Sequence, residues 1–324
     1  MGAYLIRRLS GALLLLWVIL TLTFFLTRIV PGGPSVLYEN PRLTQEQIEI
    51  RRAQLGLDQP LPEQYFSWLQ QVLTKGDWGH SYRLQRPALD VILSSLPHSL
   101  VLGIFALALQ YGLGIAIGVI AARRAGSSVD FQLRITSLTL YSVPTFWLGL
   151  LALMLFHLHL RWLPSGGVAS LDSASLSFWP WLGDRLLHLA LPATVLGVSA
   201  AAGTARFVRN SVLESLHREY IQSARARGLG EGRVLWVHAL RNSLLPVVQS
   251  FGLSLPAVLN GALVTEVIFS WPGLGRTLYT ASVARDYPVI LAGTAFGAIL
   301  AISGSLIADL LEHWLDPRVR LDGD

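Results

Sequence analysis

The 324-residue sequence contains no cysteine, which excludes disulfides, thiolate nucleophiles and cysteine metal sites. Only 14% of its residues are charged, against about 25% in a soluble domain, and 52% are hydrophobic. Lys75 is the single lysine, and the chain has no G-x-x-x-x-G-K-[ST] phosphate loop. These absences indicate a membrane protein, and any ATP that drives it must be bound by another chain.

The polar residues form no catalytic or metal-binding set. The serines lack a G-x-S-x-G elbow and the histidines lack H-E-x-x-H spacing. Ser199, His188 and Ser303 lie in apolar segments, where single serines and histidines usually form helix-packing hydrogen bonds. His157 and His159 do not share a helical face, so no metal pair is expected. An intramembrane enzyme is therefore the least favoured alternative, and no cofactor is expected on this chain.

Apolar runs predict an all-α integral membrane protein with six transmembrane helices. The predicted spans cover about 9–30, 98–122, 131–160, 185–208, 245–269 and 289–311. Each is long enough to cross a bilayer, which takes about 20 residues. The first follows Arg7 and Arg8 without an A-x-A-like cleavage site, so we interpret it as an uncleaved helix. Pro144 predicts a kink in the third span.

Arginine positions predict the topology. The short loops and tail assigned to the inside carry Arg123, Arg124, Arg206, Arg209, Arg218, Arg225, Arg227, Arg233, Arg241, Arg318 and Arg320. The short outer loops carry only Arg161, Arg185, Arg276 and Arg285. By the positive-inside rule both termini are cytoplasmic, and this distribution indicates membrane topology and no nucleic-acid binding.

The chain is expected to divide into three parts. Residues 1–97 hold the first transmembrane helix and an extracytoplasmic helical loop (31–97). Residues 98–311 form a five-helix core with a cytoplasmic loop at about 209–244, and 312–324 form a cytoplasmic tail. In the outer loop, Thr44 and Gln47 form a capping box ahead of a short helix, and a second helix follows at 63–74. Its apolar side predicts a cap lying on the membrane interface.

The stretch EYIQSARARGLGEGRVLWVHALRNSLLP, residues 219–246, is the most informative. It predicts a helix over 220–227, a left-handed turn at Gly228, and a second helix from near Glu231. Arginines alone are expected in any inner loop. The ordered spacing of Gly228, His238, Asn242 and Pro246 carries the additional information.

The pattern A-R-A-R-G-L-G-E followed by H-A-L-R-N-S-L-L-P resembles the EAA-type coupling loop of ABC importer permeases, in particular the dipeptide/oligopeptide/nickel branch. Two departures stand out: Gln222 occupies the position of the eponymous Glu, and Leu240-Arg241 replaces the usual Leu-Pro. Further motifs are similar to the same branch and extend the resemblance over essentially the full chain. They are L-G-L-D-Q-P-L-P-E-Q-Y with G-D-W-G-x-S, S-x-P-x-F-W, T-E-V-I-F-S-W-P-G-L-G-R with R-D-Y-P, and L-D-P-R-V-R.

The resemblance implies a type I ABC importer permease in a bacterial or archaeal plasma membrane. Its implied partners are a second homologous permease, two ABC ATPase subunits that bind the ATP, and an extracytoplasmic solute-binding protein. The loop would dock into a groove on the ATPase. The residues implied in docking are Glu219, Tyr220, Ala224, Arg225, Ala226, Arg227, Gly228, Leu229, His238, Arg241 and Asn242. Arg209, outside the motif, is expected to matter much less.

Glu266 is the most informative carboxylate, because an ionisable group in a membrane segment marks a candidate functional site. The alternative is a water-exposed interfacial glutamate that pairs with Arg276. The candidate residues for a pathway or gate are Pro144, Glu266, Trp271, Pro272 and Gly273.

A secondary transporter or channel that acts without an ATPase is the alternative function. Such a protein would show buried relay residues in several spans, or inverted repeats. Glu266 and Asp309 are the only acidic residues within the predicted spans, both near the ends, and no such repeat is visible. The substrate stays open at this point: di- and oligopeptides are favoured, and nickel complexes, glutathione and other small solutes are the alternatives.

Overall fold

The computed structural model of the chain describes residues 2–30, 33–34, 44–243, 247, 251, 254 and 262–315. Within these ranges the fold is helical, and one isolated extended bridge joins His80 to Pro87. The predicted all-α class is therefore confirmed for the described residues.

The main helices are numbered here in chain order. They are α1 (Gly2–Ile29), α2 (Gln45–Gln54), α3 (Leu61–Lys75), α4 (Ala88–Arg123), α5 (Ser128–Ser142), α6 (Thr145–Ala152), α7 (Phe178–Leu216), α8 (Glu219–Ala226), α9 (Leu274–Ala284) and α10 (Tyr287–Leu315). Shorter pieces are the π-helical turns Leu153–His159 and Val234–Ala239, the 3-10 turn Leu171–Ser175, and the α-helical turns Glu231–Arg233 and Leu240–Ser243.

Four helices of the described part are long and apolar enough to cross a membrane. They are α1 from Arg7, α4, α7, and α10 as far as Ile307. The bent pair Ser128–Ser142 and Thr145–His159 makes a fifth if it forms one span. Most of the predicted span 245–269 lies outside the described residues, as does the tail beyond residue 315. Six spans and cytoplasmic termini therefore stay predictions.

The break at Pro144 is sharper than the predicted kink, because α5 and α6 meet at an angle of 100°. A proline disfavours the helical conformation in the residue before it, and Val143 is extended with φ −79° and ψ 127°. Pro144 then starts the next helix, since its carbonyl accepts hydrogen bonds from the amides of Trp147 and Leu148 at 2.9 and 3.1 Å. One predicted span is thus two helices.

The chain forms two compact units, and the first comprises Met1–Ser99 and Pro272–Ile302. In this unit α3 packs on α1 through Tyr65, which is buried beside Phe24 with ring centroids 5.2 Å apart. The Tyr65 hydroxyl accepts a hydrogen bond from Trp17 Nε1 at 3.1 Å. The predicted capping box is confirmed, since Thr44 Oγ1 accepts from the Gln47 amide at 3.3 Å and the Gln47 side chain accepts from the Thr44 amide.

The second unit comprises Leu100–Trp271 and Ser303–Asp324. Its core forms where α4 meets α7, with Leu102 and Ala106 packed against Leu189 and Ala193. The backbones approach closely, as the small residues of α4 predict: a Cβ on Gly118 would lie 2.7 Å from the Ala205 carbonyl oxygen. Helix α7 has 39 residues and continues past the predicted end of its span, so the predicted cytoplasmic loop begins only after Leu216.

Candidate functional site

The loop after α7 has the helix–turn–helix geometry that its sequence predicts. Helix α8 ends in a Schellman turn, in which Gly228 has a φ of +77°. Its amide donates to the Arg225 carbonyl at 2.9 Å, and the Leu229 amide donates to the Ala224 carbonyl at 3.3 Å. The second helical segment begins at Glu231. The left-handed conformation predicted at Gly228 is confirmed.

One side of this loop is buried. Ile221 and Ala224 of α8 pack against Val234 and Ala239 of the π-helical turn. The cluster continues into a second one, in which Leu235 and Leu240 contact Val208 and Val212 of α7 and Val119 and Ala122 of α4. The loop is therefore joined through apolar packing to the ends of two candidate spans.

The other side of the loop faces away from the chain. Of the predicted docking residues, the exposed ones are Glu219, Tyr220, Arg225, Ala226, Arg227, Gly228 and Arg241; Leu229 and His238 are half-buried. Ala224 is 1% exposed and belongs to the core of the loop, and the side chain of Asn242 lies outside the described residues.

Trp236 and Val237 were not predicted to belong to this surface, and they are 56% and 51% exposed beside the same turn. The sequence did contain a signal for this exposure. Val234–Val237 are four consecutive apolar residues, and their side chains cannot all lie on one buried face of a helix.

Arg225 and Glu231 connect α8 to the segment after the turn. The guanidinium Nε and Nη2 atoms donate to the two carboxylate oxygens at 2.7 and 3.0 Å. These hydrogen bonds lower the pKa of Glu231 and raise the pKa of Arg225. Both side chains are exposed, at 42% and 70%, so water and salt screen their attraction.

A second bidentate pair gives Arg209 a structural role. Its Nε and Nη2 atoms donate to the two carboxylate oxygens of Asp130 at 2.7 and 2.8 Å, and the side chains are only 16% and 3% exposed. Asp130 also accepts from the Gly126 amide at 3.0 Å. Arg209 thus fixes the start of α5 to α7, a structural role that its position outside the motif did not indicate. The small expected effect of Arg209→Ala on transport stays a prediction. The two residues are 79 positions apart, and no local pattern links them.

Glu266 lies in the last turn of a helical segment that ends at residue 268. It is fully buried, which contradicts the water-exposed alternative, and its carbonyl accepts from the Trp271 amide at 2.8 Å. Phe269, also fully buried, offers its carbonyl to the Gly167 amide at 2.9 Å. A Cβ on Gly166 would lie 2.1 Å from that same carbonyl oxygen. The segment that contains residue 166 can therefore pack against Phe269 only because this residue is glycine.

Among the other gate candidates, Trp271 has a backbone hydrogen bond with Glu266. Trp271 is buried in the same unit, whereas Pro144 is exposed at the break between α5 and α6. Pro272 and Gly273 belong to the first unit, where Gly273 immediately precedes α9. The structure thus gives Glu266 and Trp271 a shared turn.

Two sequence motifs meet in the first unit. Asp286, from R-D-Y-P, is 3% exposed and accepts from Ser81 Oγ, of G-D-W-G-x-S, at 2.5 Å. The amides of Tyr82 and Arg83 also donate to this carboxylate, at 3.1 and 3.4 Å. No pattern in the sequence linked the two motifs, since Ser81 and Asp286 lie 205 positions apart.

Comparison with protein families decides the assignment. The family model described as "Binding-protein-dependent transport system inner membrane component" matches residues 114–321, and the corresponding N-terminal membrane component matches residues 1–103. The chain belongs to this family. It is a multi-pass inner-membrane protein and a permease subunit of an ATP-driven importer. It is therefore not itself an enzyme, and the hydrolysis of ATP belongs to partner subunits.

Individual relatives cover nearly the whole chain. The oligopeptide transport system permease protein AppB of Bacillus subtilis is 39% identical over 320 residues, covering 98% of this chain and 99% of that protein. The dipeptide transport system permease protein DppB of Escherichia coli is 37% identical over 334 residues, covering 98% of each. The di/tripeptide permease DppB of Pseudomonas aeruginosa is 36% identical, covering 99% of each.

A solved structure supports the fold of this family member. A chain of the inward-facing MetNI methionine ABC transporter aligns with a TM-score of 0.53 at 15% identity, covering 70% of this chain and 97% of that one. The permease fold and the family together exclude the alternative function of a secondary transporter or channel, since importers of this family work with an ATPase and a binding protein.

Proposed function

We propose that this permease subunit imports di- or oligopeptides. The support is the full-length similarity to three permeases whose names specify oligopeptide, dipeptide and di/tripeptide transport. In this proposal the chain lies in a bacterial or archaeal plasma membrane with six spans and both termini in the cytoplasm. It pairs with a second homologous permease, two ATPase subunits and one extracytoplasmic binding protein.

We propose that the loop of residues 217–243, here called the coupling loop, transmits ATPase closure to the membrane helices. One observation carries this: an exposed face, with Tyr220 and Arg227 on it, is backed by apolar packing that reaches α4 and α7. A force on the exposed face would move the loop as one body, because a close-packed interior transmits displacement. The helix ends would then move with it.

Uptake of a labelled dipeptide by the importer assembled from this chain and its co-purifying subunits tests the substrate proposal. ATP-dependent accumulation of the dipeptide, competed by unlabelled di- and tripeptides, is the expected outcome. Accumulation of a nickel complex or glutathione, with no peptide uptake, would replace the substrate class and leave the permease assignment intact.

We propose that Glu266 contributes to an outer gate. The turn that holds it ends a segment predicted to cross the membrane, and a buried carboxylate in such a place serves a function more often than packing. Glu266→Gln is expected to lower uptake per assembled complex more than it lowers membrane abundance. Equal uptake per complex would make Glu266 a structural residue.

A further inference from the structure

A basic cleft of about 240 Å³ lies between α5 and α7, outside the coupling loop. Arg134, Arg206 and Arg209 line it together with Phe131, Ile135 and Leu138. No carboxylate is among the residues that line it. The cleft therefore combines positive charge with apolar surface, the combination that an anionic amphiphile requires.

The excess charge comes from two of the three arginines. Arg209 is neutralised by its bidentate pair with Asp130. Arg134 and Arg206 are exposed, and the Arg206 guanidinium lies over the Tyr141 ring at 5.6 Å from its centroid. A guanidinium is suited to a phosphate group because its N–H donors match two phosphate oxygens at once.

The sequence of α7 sets the depth of the cleft in a bilayer. Between Arg185 and Arg206 lie 20 residues, 186–205, in which His188 is the only titratable side chain. At 1.5 Å per residue this segment is about 30 Å long, which equals the hydrocarbon thickness of a typical bilayer. Arg206 therefore lies where the hydrocarbon ends and the headgroups begin.

The apolar wall of the cleft lies on α5. Phe131, Ile135 and Leu138 are 63%, 48% and 47% exposed and follow the spacing of one helical face. Such a row of exposed apolar side chains next to exposed arginines fits an acyl chain attached to a charged headgroup.

We propose that this cleft binds an anionic phospholipid, with its phosphate held by Arg134 and Arg206 and an acyl chain along Phe131, Ile135 and Leu138. The Asn210 amide also lines the cleft and supplies a further hydrogen-bond donor. Basic pockets between transmembrane helices bind lipid headgroups in this way. The site does not depend on which solute the importer carries.

Titration of the purified full-length chain in neutral detergent tests the site. The probes are dioctanoyl phosphatidylglycerol, dioctanoyl phosphatidylcholine and inorganic phosphate. Phosphatidylglycerol is expected to bind more tightly than either of the others. Arg134→Gln combined with Arg206→Gln is expected to weaken its affinity by about 25-fold, roughly fivefold for each arginine.

Two control variants make this result interpretable. Arg123→Gln combined with Arg124→Gln removes two exposed arginines outside the cleft and should change the affinity much less. Arg134→Lys combined with Arg206→Lys keeps the charge but removes the paired guanidinium donors, so its affinity should fall between those of the wild type and the glutamine variant. Unchanged phosphatidylglycerol affinity in the glutamine variant would overturn the proposal. Binding of inorganic phosphate with the same affinity as phosphatidylglycerol would also overturn it. So would a loss of lipid binding in the assembled importer, since another subunit would then cover α5.

Discussion

Two arginine–carboxylate pairs in the second unit have nearly the same geometry and opposite surroundings. Arg209 with Asp130 and Arg225 with Glu231 are both bidentate, with hydrogen bonds of 2.7 to 3.0 Å. The first pair is 16% and 3% exposed, whereas the second is 42% and 70% exposed. Geometry alone therefore does not rank the two pairs by their contribution to stability, because burial decides how strongly each charge depends on its partner.

Two glycines, Gly166 and Gly228, show the same contrast between a closely packed and an open position. A Cβ on Gly166 would meet the Phe269 carbonyl at 2.1 Å, whereas a Cβ on Gly228 would meet nothing within 4 Å. Gly166 is thus required by packing inside the chain. At position 228 only the left-handed backbone conformation favours glycine. A side chain there would contact a docked partner subunit and no other part of this chain.

Arg209→Ala is expected to have the largest effect on stability. It leaves the buried Asp130 carboxylate without its ion partner, and breaking such a pair costs roughly 3–5 kcal/mol. Thermal unfolding in detergent should show a large drop in midpoint. Asp130→Asn combined with Arg209→Gln, which removes both charges, should recover part of the loss. An unchanged midpoint for Arg209→Ala would mean that the buried and exposed pairs are equivalent.

Gly166→Ala is expected to come second. Its Cβ cannot fit beside the Phe269 carbonyl, so the turn that holds Glu266 must shift, at a cost of up to about 3 kcal/mol. Lower abundance and a lower unfolding midpoint are the expected outcomes. The matched control is Gly183→Ala, since a Cβ there meets nothing within 4 Å. If both variants unfold at the same temperature, the close contact has no energetic weight.

Arg225→Ala is expected to have the smallest effect on stability, because its pair is exposed and screened. The lowered pKa of Glu231 fixes the sign of the pH dependence. The contribution of the pair is present above the ordinary pKa of a glutamate and is lost as the pH falls through the lowered value. The difference in unfolding midpoint between the wild type and the variant should therefore be small, should be largest at neutral pH, and should vanish below the lowered pKa. A drop as large as that of Arg209→Ala would refute the ranking by burial.

Local features of this fold were predictable from the sequence. The capping box at Thr44, the break at Pro144 and the left-handed Gly228 each follow from residues a few positions apart. Their chemistry acts within one or two helical turns, where a single sequence carries the whole pattern. Even so, the angle of 100° at Pro144 was not predictable, because tertiary packing sets it.

Contacts between distant residues were not predictable. Asp130 with Arg209, Ser81 with Asp286, and Gly166 with Phe269 join segments that share no pattern in one sequence. The burial of Glu266 was equally hidden, since its position near the end of an apolar run fitted an exposed residue as well. The family motifs indicated which segments are candidates for function. The structure showed which residues the side chains of those segments contact.

Gly228→Val tests most directly the claim that the coupling loop transmits ATPase closure to the membrane helices. The left-handed backbone makes valine cost roughly 1–2 kcal/mol, so the permease should still reach the membrane in nearly normal amounts. Gly232→Ala is the control, because Gly232 lies in the same loop with open space around it and without a positive φ. Gly228→Asn tolerates the left-handed conformation and separates backbone strain from added bulk.

The quantity to measure is dipeptide uptake per assembled importer, together with the amount of ATPase that co-purifies with the permease. We expect Gly228→Val to abolish uptake and to lose the ATPase or its stimulation by loaded binding protein, while Gly232→Ala behaves as wild type. Loss in Gly228→Asn as well would assign the defect to bulk at the docking surface. Normal uptake by Gly228→Val at normal abundance would contradict the coupling role of the loop.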